Sequence, residues 1–449
     1  MLRARKFFKK YSKSSFDLNE LYGKMKKIKI DVVAVPLSGH LYPTLNLVKP
    51  LLDDPTMEIR VFTGPQKKAV AENLGFTVVP ILEDKVEEFE RAANNDKKLN
   101  LFSAYRQLSK SLDLINHVSD QLLEEWRVNR PDIVIADFIT LSAGFVAEQL
   151  EIPWITTMAT QFAIETPYGP PCFFGGMGVA RTKKEEKIQA LCRKLTRIGK
   201  YCGAFLLRKR LKRYNFKLYN QNGVETIYSP YAIFGIGMME LELKTHFPHQ
   251  YAWLGPLGTS LEKAEDYPLD LRPYDDKTKV LVTCGTQLPW AKENLLQQTK
   301  QLAKEHPECH FFVTLGDGAK EFSEEEVAPN VTVVSYLPYK EYIPQMDYVI
   351  HHGGAGIFYQ CIEFKKPALI LPHDYDQFDY AIRGVEAGIA FQAHRNRTEE
   401  IQAGFKALLE KESWEKLERL NKLSKTYKPL DTLEFEIQRL LRRGTDGKL

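Results

Sequence analysis

The 449-residue chain is poor in the features that would place it outside the ordinary globular class. Its six cysteines (Cys172, Cys192, Cys202, Cys284, Cys309, Cys361) form no C-x-x-C pair and have no histidine partners at zinc-finger spacing, which excludes a small structural zinc module and points to reduced, packing thiols. No run of about twenty uncharged apolar residues is present. The longest candidate, 133–155, is interrupted by Asp137, Glu148 and Glu151, so a membrane-spanning helix is not expected. The first fifteen residues are basic, and Phe7 and Phe8 are their only adjacent apolar pair; a secretory signal needs an apolar core of about seven to fifteen residues, so a cytoplasmic location is expected.

With 44% hydrophobic and 27% charged residues, the composition is that of a folded protein, and the length implies two or more units. The net charge of +4 conceals strong asymmetry. Residues 1–30 carry ten Lys/Arg against two acids, and residues 181–217 carry fourteen against Glu185 and Glu186. In the second block Phe205, Leu206, Leu207, Leu211 and Tyr214 interleave apolar bulk at helical spacing. Two readings stay open for it: docking on an anionic membrane surface, or an amphipathic helix that packs its apolar face on the core and solvates its basic face. Nucleic acid is not expected, because no aromatic-plus-basic sheet motif or zinc knuckle accompanies the charge.

Short β-branched runs alternate with helical patterns. The runs 28–36, 58–63, 76–81, 132–137 and 154–158 form one series; 279–284, 310–315, 331–336, 348–352, 368–371 and 389–391 form another. This grammar predicts an α/β protein with two doubly wound parallel sheets, each in its own Rossmann-like domain, facing across a cleft. Pro and Gly punctuation at 254–260 and a charged stretch up to Pro273 mark the boundary. The expected organisation is a basic extension (1–25), an N-terminal domain (26–255), a linker (256–275), a C-terminal domain (276–428) and a C-terminal helix (429–449) that packs back on the N-terminal domain.

Ligands of such sheets bind beyond the carboxyl ends of the strands, which directs attention to two places. After the first strand, Leu37-Ser-Gly-His-Leu-Tyr-Pro43 puts His40 on a strand-to-helix turn ahead of a helix over 44–52. A histidine there suits proton removal from a hydroxyl if a carboxylate fixes its tautomer, and Asp137, at the end of another strand of the same sheet, is the candidate. Singly, each residue also fits a structural role, His40 as a helix N-terminal hydrogen-bonder and Asp137 as a cap. In the second series, Tyr348-Val-Ile-His-His-Gly-Gly-Ala-Gly356 runs from strand into helix. Glycines 353, 354 and 356 allow close backbone approach to an anion, the helix start offers free N–H groups, and His352 adds a donor, so a diphosphate site is expected. Asp376 and Gln377, after Pro372, suit sugar hydroxyls. Asp374 and Asp376 form a D-x-D pattern, but such triplets are frequent by chance and no metal site is assigned.

Taken together, Gly39-His40-x-x-Pro43, His352-Gly-Gly-Ala-Gly356, Pro367, Pro372 and Asp376-Gln377 resemble, in order and spacing, the family 1 nucleotide-sugar glycosyltransferases of the GT-B fold, especially bacterial members that glycosylate macrolides, carotenoids and lipids. The resemblance runs from about Lys26 into the C-terminal helices. It implies that His40 is the general base and Asp137 its orienting partner. It further implies that His352, Gly353, Gly354, Ala355 and Gly356, with Gly285 and Thr286, line the donor diphosphate. Tyr336, Leu337, Pro338 and Gln360 would meet the nucleoside, and Asp376 and Gln377 the transferred sugar. The implied activity is inverting, metal-independent hexosyl transfer, with a UDP-sugar as co-substrate and no other cofactor, to a hydrophobic small-molecule or lipid acceptor. Three positions depart from the family pattern: Ile357 replaces Ser or Thr, Gln360 replaces Glu, and Tyr380 replaces Asn. They keep alternatives in view: a nucleotide-sugar-binding subunit without turnover, or a nucleotide-sugar epimerase of the same architecture.

Overall fold

The computed structural model describes residues 27–93, 101–258, 268–285, 289–316, 321–374 and 376–446. The basic extension 1–25 and much of the expected linker lie outside them. Two seven-stranded sheets form the framework. The first has the order β3-β2-β1-β4-β5-β6-β7, with β1 Ile28–Val33, β2 Met57–Thr63, β3 Thr77–Pro80, β4 Ile133–Asp137, β5 Trp154–Met158, β6 Ala232–Ile236 and β7 Tyr251–Gly255. All its pairings are parallel. The second has the order β10-β11-β9-β8-β12-β13-β14, with β8 Thr278–Thr283, β9 Cys309–Thr314, β10 Glu324–Ala328, β11 Val331–Val334, β12 Tyr348–His351, β13 Ala368–Ile370 and β14 Ala390–Gln392.

The central strands read as continuous apolar runs because helices cover both faces: every residue of β4, β5, β6 and β9 is buried. The second sheet departs from the all-parallel expectation at its edge, where β10 pairs antiparallel with β11. Glu324, Glu325 and Glu326 stand exposed on that edge, where charge discourages further strand pairing.

The helices that matter for the site are α1 Ser38–Val48, α2 Leu101–Val128, α3 Leu141–Gln149, α4 Lys183–Leu206, α5 Ala355–Glu363, α6 Gln377–Ala387 and α7 Pro429–Asp446. Helix α1 starts six residues earlier than the turn reading of 37–43 implies, so His40 sits inside its first turn. Pro43 falls early in that helix; its missing N–H leaves the Gly39 carbonyl without an intrahelical donor at a position where few bonds have yet formed. Helix α7 returns to the first sheet. Leu433, Ile437 and Leu440, spaced to share one helical face, are at most 1% exposed in the core around β1 and β4.

The lobes are joined by buried polar contacts. Arg383 of α6, 1% exposed, donates to both carboxylate oxygens of Glu242 in the first lobe at 2.8 and 3.0 Å and to Asp379 on its own helix at 3.0 Å. The Tyr359 hydroxyl accepts the Met238 N–H at 3.3 Å, and Tyr427 bridges Glu240 at 2.6 Å and the Met239 N–H at 2.9 Å. Among the described residues no helix is long and apolar enough to cross a membrane.

Candidate functional site

In each sheet the strand order reverses once at its centre, between β1 and β4 and between β8 and β12, and the connections leave these pairs in opposite directions. The crevice beyond the strand ends is therefore open there. His40 follows β1 and Asp137 ends β4, so two residues 97 positions apart stand on adjacent strand ends. The His40 Nδ1 lies 3.1 and 3.2 Å from the two carboxylate oxygens of Asp137. Asp137 is buried and also accepts the Ile139 N–H at 3.2 Å, so its position is fixed from two sides. The His40 backbone is fixed as well: its carbonyl accepts from the Thr44 hydroxyl at 2.9 Å, and that hydroxyl meets Thr157 at 3.2 Å. With Nδ1 committed to the carboxylate, Nε2 is the nitrogen left for chemistry, and the side chain is 21% exposed. Gly39 leaves space beside it, since a Cβ there would meet no atom within 4 Å.

Burial alone would depress the His40 pKa. The charges of Asp137, which also hydrogen-bonds the ring, and of Asp376 outweigh it and hold the imidazolium above its ordinary value near 6.5. Asp376 belongs to the other lobe, at the start of α6. Its side chain hydrogen-bonds Thr160, which follows β5, and feels His40. Burial nonetheless pushes the Asp376 carboxyl upward, with Thr160 and His40 opposing. The histidine and Asp376 thus face one another across the same gap.

The glycine turn lies on the same side of the second sheet. Gly353 has φ of 91°, a conformation that L side chains resist, and a Cβ there would lie 2.8 Å from the Gln377 carbonyl. Gly354 is the N-cap of α5 and supplies no side-chain cap, so the first N–H groups of the helix over Ala355 and Gly356 face outward with the positive end of its dipole. A Cβ on Gly354 would lie 2.5 Å from His352 Nε2, and one on Gly285 2.8 Å from its Cε1, so glycine at both positions makes room for this ring.

His352 behaves differently from the donor expected of it. Burial, with a push from His373, drops its pKa to about 4, while a hydrogen bond to the Thr283 backbone acts the other way. At neutral pH the ring is uncharged; its one proton goes to that carbonyl, and Nδ1 is buried without a partner. The anion-attracting elements are therefore the α5 N–H groups rather than an imidazolium.

Other expected positions divide. The Gln377 side-chain oxygen is already occupied, accepting the His373 and Asp374 N–H groups at 2.9 and 3.1 Å. Leu337 is fully buried in the core of the second lobe, Pro338 is buried and Tyr336 is half-buried. Gln360 is 4% exposed. Thr286 lies outside the described residues.

The departures acquire a physical reason. Ile357 is 3% exposed in an apolar cluster with Met238 and Leu241 of the other lobe, so it serves interlobe packing. Tyr380 is 1% exposed and donates to the Ala159 carbonyl at 3.4 Å, again between lobes. Sequence reasoning passed over Thr160 and Arg383. Thr160 follows a central strand and was open to the strand-end rule, whereas nothing local marks Arg383 as an interlobe bridge.

Comparison with known proteins agrees with this geometry. Residues 308–424 match the family model described as the erythromycin biosynthesis protein CIII-like C-terminal domain. The NDP-glycosyltransferase YjiC of Bacillus subtilis (strain 168) is 23% identical over 370 residues, covering 81% of this chain and 84% of the relative. The crystal structure of the glycotransferase of kitacinnamycin superposes with a TM-score of 0.69 at 19% identity, over 93% of this chain and 100% of the other. That of the glycosyltransferase VinC with dTDP gives 0.64 at 16% identity, over 93% and 100%. The chain has the GT-B fold, and its sequence is similar to glycosyltransferases of the family 1 type. In this fold the β1–β4 crevice belongs to the first lobe and the β8–β12 crevice to the second.

Proposed function

We propose that the protein transfers a hexose, glucose foremost, from a UDP-sugar to a hydroxyl of a hydrophobic small molecule or lipid, with inversion at the anomeric carbon and without a metal ion. The observation that carries this reading is the His40–Asp137 contact at 3.1 Å, set across one gap from Asp376 and the uncapped start of α5.

In this reaction His40 Nε2 takes the acceptor hydroxyl proton while Asp137 holds the ring and offsets the imidazolium charge. The acceptor oxygen forms a bond to the anomeric carbon as the bond from that carbon to the diphosphate oxygen breaks. The charge that develops on the diphosphate is met by the free N–H groups at the α5 start, with Gly353, Gly354 and Gly285 keeping the backbone clear. Asp376 and the Gln377 amide bind sugar hydroxyls, and Tyr336 and Gln360 border the nucleoside. The structure of the relative VinC holds dTDP, so thymidine and uridine donors are the first two classes to compare.

The test is incubation of the purified protein with UDP-glucose, dTDP-glucose and a panel of hydrophobic acceptors, with products read by mass spectrometry. A glycoside formed from UDP-glucose is expected, and turnover with deoxysugar nucleotides alone would refute the donor assignment. A second reading, a binding subunit without turnover, is favoured by one observation: Ile357, at a phosphate-facing position in the family pattern, is committed to the core. It predicts nucleotide binding with no product from any acceptor.

A further inference from the structure

Helix α4 is inverted relative to an ordinary surface helix. Its anchored face is polar. Gln189 donates to the Gly178 carbonyl at 2.8 Å, Arg193 reaches the Gly169 carbonyl, Thr196 sits under the Cys172 carbonyl at 3.5 Å, and Lys200 is held by Glu165 at 2.8 Å and by Glu225. The spacing 189, 193, 196, 200 follows one side of the helix. On the opposite side Ile188, Leu191, Leu195, Ile198, Phe205 and Leu206 are 45–62% exposed. From Ile188 to Phe205 this stripe runs about 26 Å. Globular proteins rarely leave such a contiguous stripe without a partner. The helix itself is firmly made: Thr182 and Glu185 form a capping box, so its exposed face is held in place.

Charge identifies the partner. Lys184, Lys187 and Lys194 are exposed beside the stripe. An open groove of about 380 Å³ lies among Lys183, Lys184, Lys187, Ile188 and Leu191. A second copy docking here would bring these like charges together, which disfavours self-association. Apolar side chains rimmed by lysine instead match the interface of an anionic bilayer, where acyl chains take the stripe and lipid phosphates take the lysines. The segment after α4 is not part of this surface. Leu207 is buried, Arg210 pairs with Asp113 of α2 at 2.8 Å, and the Tyr214 ring stacks on Phe145 of α3 at 4.4 Å.

We propose that the exposed apolar stripe of α4 inserts into the headgroup region of anionic phospholipid membranes. Just before α4, Arg181 pairs at 2.7 Å with Glu386, near the C-terminal end of α6 in the other lobe. The docking does not rest on the hydrophobic-acceptor reading above.

The test is flotation of the full chain with vesicles of phosphatidylcholine, alone or mixed with phosphatidylglycerol. Wild type is expected to float with the mixed vesicles, more at low salt than at high. L191Q/L195Q/I198Q and K184E/K187E/K194E are each expected to lose at least about tenfold in partition, with melting temperatures near wild type because the altered side chains are exposed. Absence of wild-type flotation on mixed vesicles, or flotation of the stripe variant equal to wild type, overturns the proposal. A wild-type dimer in solution that the stripe variant converts to monomer, without vesicle binding, assigns the face to a second copy and also overturns it. UDP binding measured on the same samples keeps the two readings apart, since its loss with flotation intact would strike the donor site alone.

Discussion

Replacing Asp137 by Asn keeps the side-chain shape and removes the charge that faces His40. At 3.1 Å and an effective dielectric of about 20, the Coulomb attraction between the carboxylate and an imidazolium is about 5 kcal/mol. Burial opposes this attraction, yet the balance still favours the protonated ring. The sign follows from the direction of the shift. Wild-type His40 is held above 6.5, and the base must be neutral, so kcat/KM should rise with pH through a value above 6.5 and fall away on the acid side. In Asp137→Asn the ring loses its main stabilising charge, and the acid limb should move to lower pH. The plateau should fall by about 10²–10⁴-fold, because the amide can present its N–H to Nδ1 and select the wrong tautomer. The assay is a pH profile of kcat/KM for both proteins with one donor and one acceptor, with UDP affinity measured alongside. An unmoved acid limb together with a plateau within a few-fold of wild type would refute the pairing as a working base.

Gly354→Ala should press its methyl on His352 Nε2 and tilt the ring into the anion site; UDP affinity by calorimetry is expected to fall about tenfold while the fold persists. Arg383→Met leaves Glu242 and Asp379 buried without their partner, so denaturant unfolding should show a loss of about 3–5 kcal/mol. Asp376→Asn removes a smaller raising influence on His40, so its acid limb should shift down by less than that of Asp137→Asn in the same pH profile. Ile437→Ala empties part of the core beneath the first sheet, and a loss of about 2–4 kcal/mol in the same denaturation experiment is expected although the residue is far from the cleft.

Some of this was legible in the sequence for physical reasons. Strands β1, β4 and β12 are buried on both faces and therefore appear as unbroken β-branched runs, and the turns that follow them could be located within a residue or two. The His40–Asp137 contact across 97 positions needed only the rule that functional groups gather at neighbouring strand ends. Other parts carried no such signal. Strand β10 begins with three glutamates and pairs only along one edge, so neither periodicity nor propensity announces it. Gly39 and Pro43 read as a turn, yet the helix runs through both: Gly39 lies in its first turn, and Pro43, in its second, forfeits only the bond to the Gly39 carbonyl. The basic block shows apolar bulk at helical spacing near its C-terminal end, but periodicity has no sign. Only the bonds of Gln189, Arg193 and Lys200 to the protein body show that the polar side faces inward. Ile357 and Tyr380 looked like losses from a donor site; in three dimensions they hold the lobes together.

The most direct test of the central claim, that the His40 imidazole is the base for sugar transfer, is product formation by His40→Ala with a matched donor and acceptor, normalised to UDP binding by the same preparation. Loss of transfer by at least about a hundredfold with UDP affinity within a few-fold of wild type is the predicted result. Transfer by His40→Ala at a rate comparable with wild type would contradict it.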